Sequence, residues 1–168
     1  FIEYARQEQQ ERQTIANLNP LITELTDARN TNQQFNPSAE DRQSIHLELN
    51  PLPNIPLRKV ALKRVLDNLI ENAFRYGSNH IEITTYFDKK QNRVVCKVRD
   101  FGQGIPEESL ENVFRPFSQG DSARNSGGSG LGLAITKRII EMHGGQINLR
   151  NHPEEGLIAE FWLPSEGL

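Results

Sequence analysis

The sequence predicts an α+β protein, a two-layer α/β sandwich in which helices cover one face of a mixed sheet. Apolar residues alternate along four segments, as half-buried strands require: 45–49, 81–87, 94–98 and 157–163. Stretches with apolar residues at helical spacing lie among these strands. The polar run 88–92 joins two strands directly, which indicates a hairpin. Strands interspersed with helices, with a hairpin among them, favour the sandwich.

The N-terminal part differs in composition from the rest, because residues 1–34 carry six glutamines among charged side chains. We expect this part to be the tail of a helix from an upstream domain, followed by a linker helix. Asn19 is the expected cap of that second helix, since Pro20 suits a first helical turn. The main domain is predicted over residues 35–168.

The remaining elements follow a polar loop over residues 35–42. The prolines at 51, 53 and 56 separate the first strand from a helix whose apolar stripe comprises Leu62, Val65, Leu66, Leu69, Ile70 and Ala73. After the hairpin come a short helix from Pro106 through Val113, a mobile polar segment over 115–129, a helix over 130–143, a stop at Gly144 and Gly145, and strands at 146–150 and 157–163.

Length and charge limit the classes of function. The 168 residues suffice for one domain with a core. Nineteen basic and 22 acidic residues give a net charge of −3, which argues against broad electrostatic binding of nucleic acid. The single cysteine, Cys96, alternates with valines and is expected in the core, in keeping with a reducing, cytoplasmic setting. No apolar run approaches the roughly 18 residues of a membrane span.

A glycine-rich run leads into an apolar helical pattern at residues 125–135. Glycines allow backbone N–H groups to approach an anion closely, and a helix N-terminus adds partial positive charge. The run therefore suits a phosphate group, although a flexible loop that caps an ordinary helix has the same composition. No Gly-Lys-Ser/Thr loop and no complete G-x-G-x-x-G spacing occurs, so the common nucleotide folds are disfavoured.

Two asparagines, Asn68 and Asn72, lie four residues apart at the border of a helix's apolar stripe. Amides at such a border require polar partners. Their carbonyl oxygens suit Mg²⁺, which binds hard oxygen ligands and phosphates; hydrogen bonds to a neighbouring loop are the alternative. Arg75 lies near the same side and can meet a phosphate, or can simply be solvated.

Asp100 ends a predicted strand and is followed by Gly102 and Gly104. A buried carboxylate there can accept a hydrogen bond from the amine of adenine, and it would reject guanine, which presents a carbonyl. The glycines would let the main chain bend around the base. An ordinary turn after a strand has the same residue types.

These residues together resemble the sensor histidine kinases, and in particular their osmolarity-sensing branch. Residues 67–76 resemble the N box of that family, 100–104 its first glycine box, 114–117 its F box and 128–132 its second glycine box. All four motifs occur in the family's order, and the similarity extends from about residue 44 to residue 164. The opening residues 1–6 and the segment 120–124 carry the likeness to the osmolarity sensors.

The resemblance implies a Bergerat-type ATP-binding fold. It places Asn72 and Asn68 on Mg²⁺, Asp100 on adenine, residues 128–132 on the triphosphate and residues 115–127 in a lid. Tyr76 and Ile105 would border the base or ribose, and Arg124 would reach the terminal phosphate. The complete set of ATP-binding residues expected from the sequence is Asn68, Asn72, Arg75, Tyr76, Asp100, Gly102, Gly104, Ile105, Phe117, Arg124, Gly128, Ser129, Gly130, Leu131 and Gly132.

Two departures refine the expected activity. Gyrase-type and chaperone-type ATPases of this fold carry Glu at the position of Asn68, and an amide cannot act as the general base that a carboxylate provides. We therefore expect slow ATP hydrolysis and phosphoryl transfer to a protein side chain. The family's acceptor is a histidine followed by Glu, a context that none of the four histidines has: His46, His80, His143 and His152. They are expected to be structural or solvated, so the acceptor lies outside this chain.

The resemblance thus implies the catalytic, ATP-binding domain of a two-component sensor kinase, with residues 1–34 as the tail of a dimerisation hairpin and a linker helix. Its partners would be its own dimerisation domain and a response regulator, in a membrane-bound homodimer of the bacterial inner membrane with this domain in the cytoplasm. The alternatives are a serine kinase of the anti-sigma-factor type on the same fold and a non-catalytic interaction module.

Overall fold

The computed structural model describes residues 11–33, 42–115 and 132–166. The predicted loop before Arg42, most of the segment expected to be mobile and the start of the glycine-rich helix lie outside them. The elements in chain order are β1 Thr14–Ala16, α1 Leu18–Gln33, β2 Ser44–Leu49, β3 Ile55–Leu57, α2 Lys59–Tyr76, β4 His80–Asp88, β5 Arg93–Asp100, α3 Glu107–Leu110, α4 Gly132–Met142, β6 Gln146–Asn151 and β7 Leu157–Pro164.

The main sheet has five strands in the order β2-β4-β5-β7-β6. β2 pairs with β4 in parallel, and the other three neighbouring pairs are antiparallel. The hairpin predicted at residues 88–92 joins β4 to β5 and pairs Asp88 with Arg93. The sheet is therefore mixed, and the predicted α+β class is confirmed.

One face of the sheet packs against α2 and α4. All six apolar residues of the predicted stripe on α2 are buried, and they meet inward-facing strand residues such as Ile83, Val98 and Phe161. Cys96 belongs to this core as predicted, and burial raises the pKa of its thiol to about 12, so the thiol stays protonated. On the outer face, Lys97 and Arg150 pair with Glu160. The sheet thus has one apolar face in the core and an outer face that carries charged pairs.

Helix α1 contributes to the same core. Leu18, Leu21 and Ile22 are buried in the cluster that contains the stripe of α2. On the surface of the two helices, Arg29 bonds to Glu71 at 2.8 Å. Burial of these residues packs α1 against the rest of the domain; the role of this segment as a linker and the division at residue 34 stay predictions.

The start of α1 differs from the prediction. The helix begins at Leu18, and the side chain of Asn17 accepts a hydrogen bond from the backbone N–H of Asn19 at 3.0 Å. Asn17 is therefore the cap, and the prediction of Asn19 was wrong. The Asn19 side chain instead accepts from the buried hydroxyl of Thr85 at 2.7 Å and donates to the carbonyl of Asn50 at 2.8 Å. These bonds fasten α1 to the sheet.

Strand β1 was not predicted. It pairs antiparallel with β3, matching Ile15 with Pro56, and so forms a second, two-stranded sheet. Next to it, the carboxylate of Glu11 accepts hydrogen bonds from the backbone N–H groups of Val60 at 2.9 Å and Ala61 at 3.0 Å. A negative charge at a helix N-terminus is favourable, so a residue far away in sequence caps α2.

Two further helix ends bear on the predictions. α3 ends at Leu110 rather than continuing through Val113, because the following backbone bonds join residues three apart, such as Asn112 N–H to the carbonyl of Ser109 at 3.1 Å. α4 ends as predicted: Gly144 has φ of 80°, and Gly145 N–H bonds back to Ile140. Among the described helices, none is long and apolar enough to cross a membrane.

Candidate functional site

Asn68 connects the middle of α2 with the beginning of α4. Its amide Nδ2 donates to the carbonyl of Gly132 at 3.3 Å and approaches the Thr136 hydroxyl at 3.4 Å. Thr136 is fully buried, so this contact lies at the edge of the core. The sequence left two roles open for Asn68, binding of a metal ion or hydrogen bonding to a neighbouring segment. The hydrogen bonding occurs, and it uses the amide nitrogen of Asn68. Its side-chain oxygen accepts no hydrogen bond from the described residues.

Asn72 lies one helical turn further along α2, and its side chain is half-buried. It makes no hydrogen bond with any residue in the ranges that the structure describes. Two amide oxygens therefore follow one face of α2 without a hydrogen-bond donor from the described chain. Amide oxygens on one helix face that no described donor satisfies are suited to water or to a metal ion.

Asp100 ends β5 with a side chain that is 5% exposed. Its Oδ1 accepts the backbone N–H of Gly102 at 3.0 Å and that of Leu157 at 3.1 Å. The first bond closes the turn after β5, and the second joins Asp100 to the start of β7. The carboxylate is therefore held in one orientation at the end of the sheet.

The end of α2 touches the turn after Asp100 so closely that side chains do not fit. A Cβ atom at Gly102 would lie 2.5 Å from the Cα of Gly77 and 3.1 Å from the carbonyl oxygen of Tyr76. A Cβ atom at Gly77 would lie 2.5 Å from the Cβ and Cγ of Asp100. This close approach explains why residue 102 is glycine. It also requires glycine at position 77, which was not predicted.

The second half of α2 therefore contacts both predicted halves of the site. Asn68 meets Gly132 at the start of α4, and Gly77 meets Asp100. Gly77 lies nine positions after Asn68, which at a rise of 1.5 Å per residue is about 14 Å. That separation is of the order of an extended nucleoside triphosphate, with the base at one end and the phosphates at the other.

The remaining predicted site residues have the following positions. Arg75 is exposed on the last turn of α2, Tyr76 is half-buried at its end, and Ile105 is buried beside the turn after β5. Gly104 has φ of 76°, which favours glycine. Six predicted residues lie outside the described ranges: Phe117, Arg124, Gly128, Ser129, Gly130 and Leu131.

Sequence reasoning missed the side chain that holds Ile105. Asn151 Oδ1 accepts the backbone N–H of Ile105 at 2.9 Å, and Asn151 Nδ2 donates to the carbonyl of Ile105 at 2.6 Å. Gly156 was missed as well, although a Cβ there would collide with the carbonyl oxygen of Asp100. An asparagine at the end of a short strand carries no signal of such a contact, because the two segments lie far apart in sequence.

An aromatic stack flanks the same turn. The ring of Phe101 lies 5.3 Å from that of His80, and the guanidinium of Arg99 lies 4.2 Å from the Phe101 ring centre. Arg99 also donates to the carbonyl of Glu155 at 3.1 Å. The stack therefore connects the turn after β5 with the turn before β7.

The four histidines have structural or solvated positions, as predicted. His46 and His80 are exposed, and His152 accepts the backbone N–H of Glu154 at 3.0 Å. His143 is 3% exposed: its Nδ1 lies 2.8 Å from the carbonyl of Ile139, and its Nε2 accepts the N–H of Arg58 at 3.0 Å.

Those two bonds fix the neutral form of His143, with its hydrogen on Nδ1. Protonation of Nε2 would place an N–H against the N–H of Arg58. Burial, with the charge of Arg58 adding to it, lowers the pKa of His143 below 6.5, although the bond to Ile139 and the charge of Glu11 act in the other direction.

Curated proteins with similar sequences are sensor kinases. The chain is 40% identical over 145 residues to the alginate biosynthesis sensor protein KinB of Pseudomonas aeruginosa. The aligned region covers 85% of this chain and 23% of KinB. It is 41% identical over 106 residues to the sensor histidine kinase CpxA of Escherichia coli, covering 62% of this chain and 23% of CpxA. The chain thus spans about a quarter of the length of either relative.

Solved structures give the same result. The catalytic domain of histidine kinase ThkA aligns with a TM-score of 0.77 at 28% identity, covering 92% of this chain and 96% of that one. ThkA in complex with response regulator protein TrrA aligns over 91% of this chain and 42% of that one, with a TM-score of 0.72 at 30% identity. The histidine kinase domain of the E. coli osmosensor EnvZ aligns with a TM-score of 0.65 at 33% identity, covering 91% of this chain and 89% of EnvZ's.

A family-level match covers most of the chain and includes α2, the turn after β5 and α4. Residues 58–167 match the family described as histidine kinase-, DNA gyrase B- and HSP90-like ATPase. The chain therefore belongs to the histidine kinase-, DNA gyrase B- and HSP90-like ATPase family, and the relatives that it resembles within this family are sensor histidine kinases.

Proposed function

We propose that this chain is the catalytic, ATP-binding part of a two-component sensor kinase and that it delivers the γ-phosphate of ATP to a histidine on the kinase's own dimerisation domain. The observation that carries the proposal is the position of α2. Its second half contacts Asp100 at one end and the start of α4 at the other, about 14 Å apart by helical rise. Nucleotide use follows from the family.

Asp100 is proposed to select adenine. Its carboxylate is nearly buried, and two backbone N–H groups orient it. A fixed, buried acceptor favours a base that presents an amine and disfavours guanine, whose carbonyl would face it. Tyr76 and Ile105, at the end of α2 and beside the turn, are proposed to border the base or ribose.

Asn68 and Asn72 are proposed to hold Mg²⁺ through their amide oxygens. The two residues fit this group, because both oxygens lie on one face of α2 without a hydrogen-bond donor from the described chain. The ion would supply neutralisation of the charge on the triphosphate. Gly132, at the start of α4, lies beside Asn68, and Gly128, Ser129, Gly130 and Leu131 are proposed to bind phosphate on the chain before it.

The protein's own contribution is to position ATP rather than to activate water. At Asn68 the side chain is an amide whose Nδ2 is engaged by α4, so it neither abstracts a proton from water nor turns freely toward one. Slow hydrolysis follows from this, and it leaves the γ-phosphate for an acceptor on another domain. Arg75 and Arg124 are proposed phosphate contacts, and Phe117 a contact of the lid.

The partners are proposed from the relatives. ThkA forms a complex with a response regulator, and we propose a response regulator as the downstream partner of this chain. We also propose that the full-length kinase is a membrane-bound homodimer in which this domain lies on the cytoplasmic side.

The first experiment titrates the chain with a non-hydrolysable ATP analogue with and without Mg²⁺, and compares Asn72→Ala with Asn148→Ala, an exposed asparagine on β6. Asn72→Ala should lose at least tenfold in affinity with Mg²⁺ and little without it, because the lost oxygen is a metal ligand. Asn148→Ala should bind as the parent does. Unchanged affinity of folded Asn72→Ala would refute the metal assignment, and no saturable binding by the parent would favour an interaction module.

The second experiment adds the separately produced dimerisation domain and labelled ATP. Label that is lost in acid and retained in alkali indicates phosphohistidine, whereas acid-stable label indicates phosphoserine. The proposal requires the first result together with slow ATP turnover by the chain alone. Acid-stable label on a partner protein would establish the serine-kinase alternative instead.

A further inference from the structure

The oxygen and the nitrogen of the Asn151 side-chain amide both reach the backbone of a segment that is 46 positions away in sequence. Its Oδ1 accepts the N–H of Ile105 at 2.9 Å, and its Nδ2 donates to the carbonyl of the same residue at 2.6 Å. One side chain therefore satisfies both backbone polar groups of Ile105. This is the pairing that a neighbouring strand would provide, although residues 101–106 belong to no strand.

The segment that Asn151 holds has little regular backbone pairing of its own. It runs from the end of β5 at Asp100 to the start of α3 at Glu107. Gly104 within it has a positive φ, and a Cβ there would lie 2.5 Å from Asn151 Oδ1. The glycine therefore serves the close approach of the Asn151 amide.

A second set of contacts fixes the same two segments to each other. Leu157 N–H donates to Asp100 Oδ1 at 3.1 Å, and Gly156 packs against the carbonyl of Asp100 without room for a side chain. The turn that contains them is closed by the bond from His152 N–H to Gly156 at 2.8 Å. Asn151 begins this turn, so one connection holds both Asp100 and Ile105.

We propose that Asn151 is a positioning residue for the base end of the nucleotide site. It fixes the backbone of residues 100–105, and through that backbone it fixes the carboxylate proposed to recognise adenine. The inference rests on the proposed function, since it assigns Asn151 a role in the same site. Both side-chain hydrogen bonds of Asn151 go to the backbone of Ile105, so its proposed role is to position that backbone.

The polar partners of Asn151 match this role better than a role in general stability. Its side chain is half-buried at the end of edge strand β6, and both of its bonds go to the nucleotide-site segment. Asn148 lies on the same strand with an exposed side chain and serves as the matched control. If replacing Asn151 changes nucleotide recognition and replacing Asn148 does not, loss of an asparagine from β6 cannot by itself explain the effect.

The test measures binding of ADP and of a non-hydrolysable ATP analogue to the parent chain, Asn151→Ala, Asn151→Asp and Asn148→Ala. Asn151→Ala should weaken both nucleotides by about tenfold, the order expected from loss of two side-chain-to-backbone hydrogen bonds. The loss should be equal for ADP and the analogue and independent of Mg²⁺, because the base end is affected. The preference for ATP over GTP should fall, and hydrogen exchange at the Ile105 amide should become faster.

The other variants keep the inference testable. Asn151→Asp retains an acceptor for Ile105 N–H but places an oxygen against the Ile105 carbonyl, so it should lose at least as much affinity as Asn151→Ala. If Asn151→Ala does not fold, Asn151→Asp decides. Binding by either folded variant within twofold of Asn148→Ala would overturn the inference. Failure of the parent chain to bind ATP would instead overturn the proposed function, so the two failures are distinct.

Discussion

Replacement of Asp100 by Asn tests the proposed recognition of adenine most directly. Asparagine has nearly the same shape, and its amide oxygen can still accept the N–H groups of Gly102 and Leu157, which now lie at 3.0 and 3.1 Å. The variant therefore keeps the turn while it removes the negative charge and one acceptor oxygen. Any change in base selectivity then reports on the carboxylate and not on a displaced loop.

The size of the effect follows from these contacts. Hydrogen bonds to a charged group contribute about 1.5–3 kcal/mol and neutral ones about 0.5–1.5 kcal/mol, so weakening both bonds lowers the free energy of unfolding by about 2–3 kcal/mol. Asp100 is only 5% exposed, so burying its charge is costly. The neutral Asn side chain avoids this cost, which offsets part of the loss. For binding, a buried donor that faces the adenine amine costs about 1–3 kcal/mol, which corresponds to about 5–150-fold in affinity.

The assay is calorimetric titration with ATP and GTP, with Asp88→Asn as the control. Asp88 ends β4 and pairs with Arg93 at 3.6 Å, so it is a strand-end carboxylate of the same sheet outside the site. Asp100→Asn should lose affinity for ATP and leave weak GTP binding unchanged or improved, whereas Asp88→Asn should preserve both. A folded Asp100→Asn protein with the parent's ratio of ATP to GTP affinity would refute the assignment of Asp100 to the base.

Two predictions concern stability. His143 is held neutral, with its folded-state pKa below the ordinary 6.5, so its contribution is complete above about pH 6.5 and is lost as the pH falls from there toward the folded-state pKa. Denaturant unfolding between pH 7.5 and 5.5 should show a smaller loss in His143→Gln than in the parent, and identical pH profiles would exclude the effect. Glu11→Gln leaves only one acceptor for the two N–H groups at the start of α2 and removes the favourable charge, so unfolding free energy should drop by about 1–2 kcal/mol. The exposed Glu154→Gln is its control, and an equal change in both would contradict the cap.

Elements with a strong local pattern could be predicted from the sequence. The stripe on α2 is buried in full, and the alternation at residues 81–87 and 94–98 corresponds to β4 and β5. When one face of an element is buried, apolar residues recur about every 3.6 residues in a helix and every 2 residues in a strand. These patterns are therefore visible in the sequence itself. Strand β1 has only three residues and gains its partner β3 from a distant part of the chain, so no local pattern predicts it.

The same distinction separates the predicted site residues from the missed ones. Asp100 and Asn72 carry polar groups at the border of a core, where such groups require partners, so their residue type and position predict a ligand contact. Gly77 and Gly156 bring no functional group: each is required because a backbone or side chain from elsewhere passes too close for a Cβ atom. Asn151 likewise bonds to the backbone of Ile105, and the two residues meet only because the fold brings a distant loop beside β6. Sequence chemistry thus identifies the groups that would contact a ligand, whereas the residues that hold those groups in place are defined only by the tertiary fold.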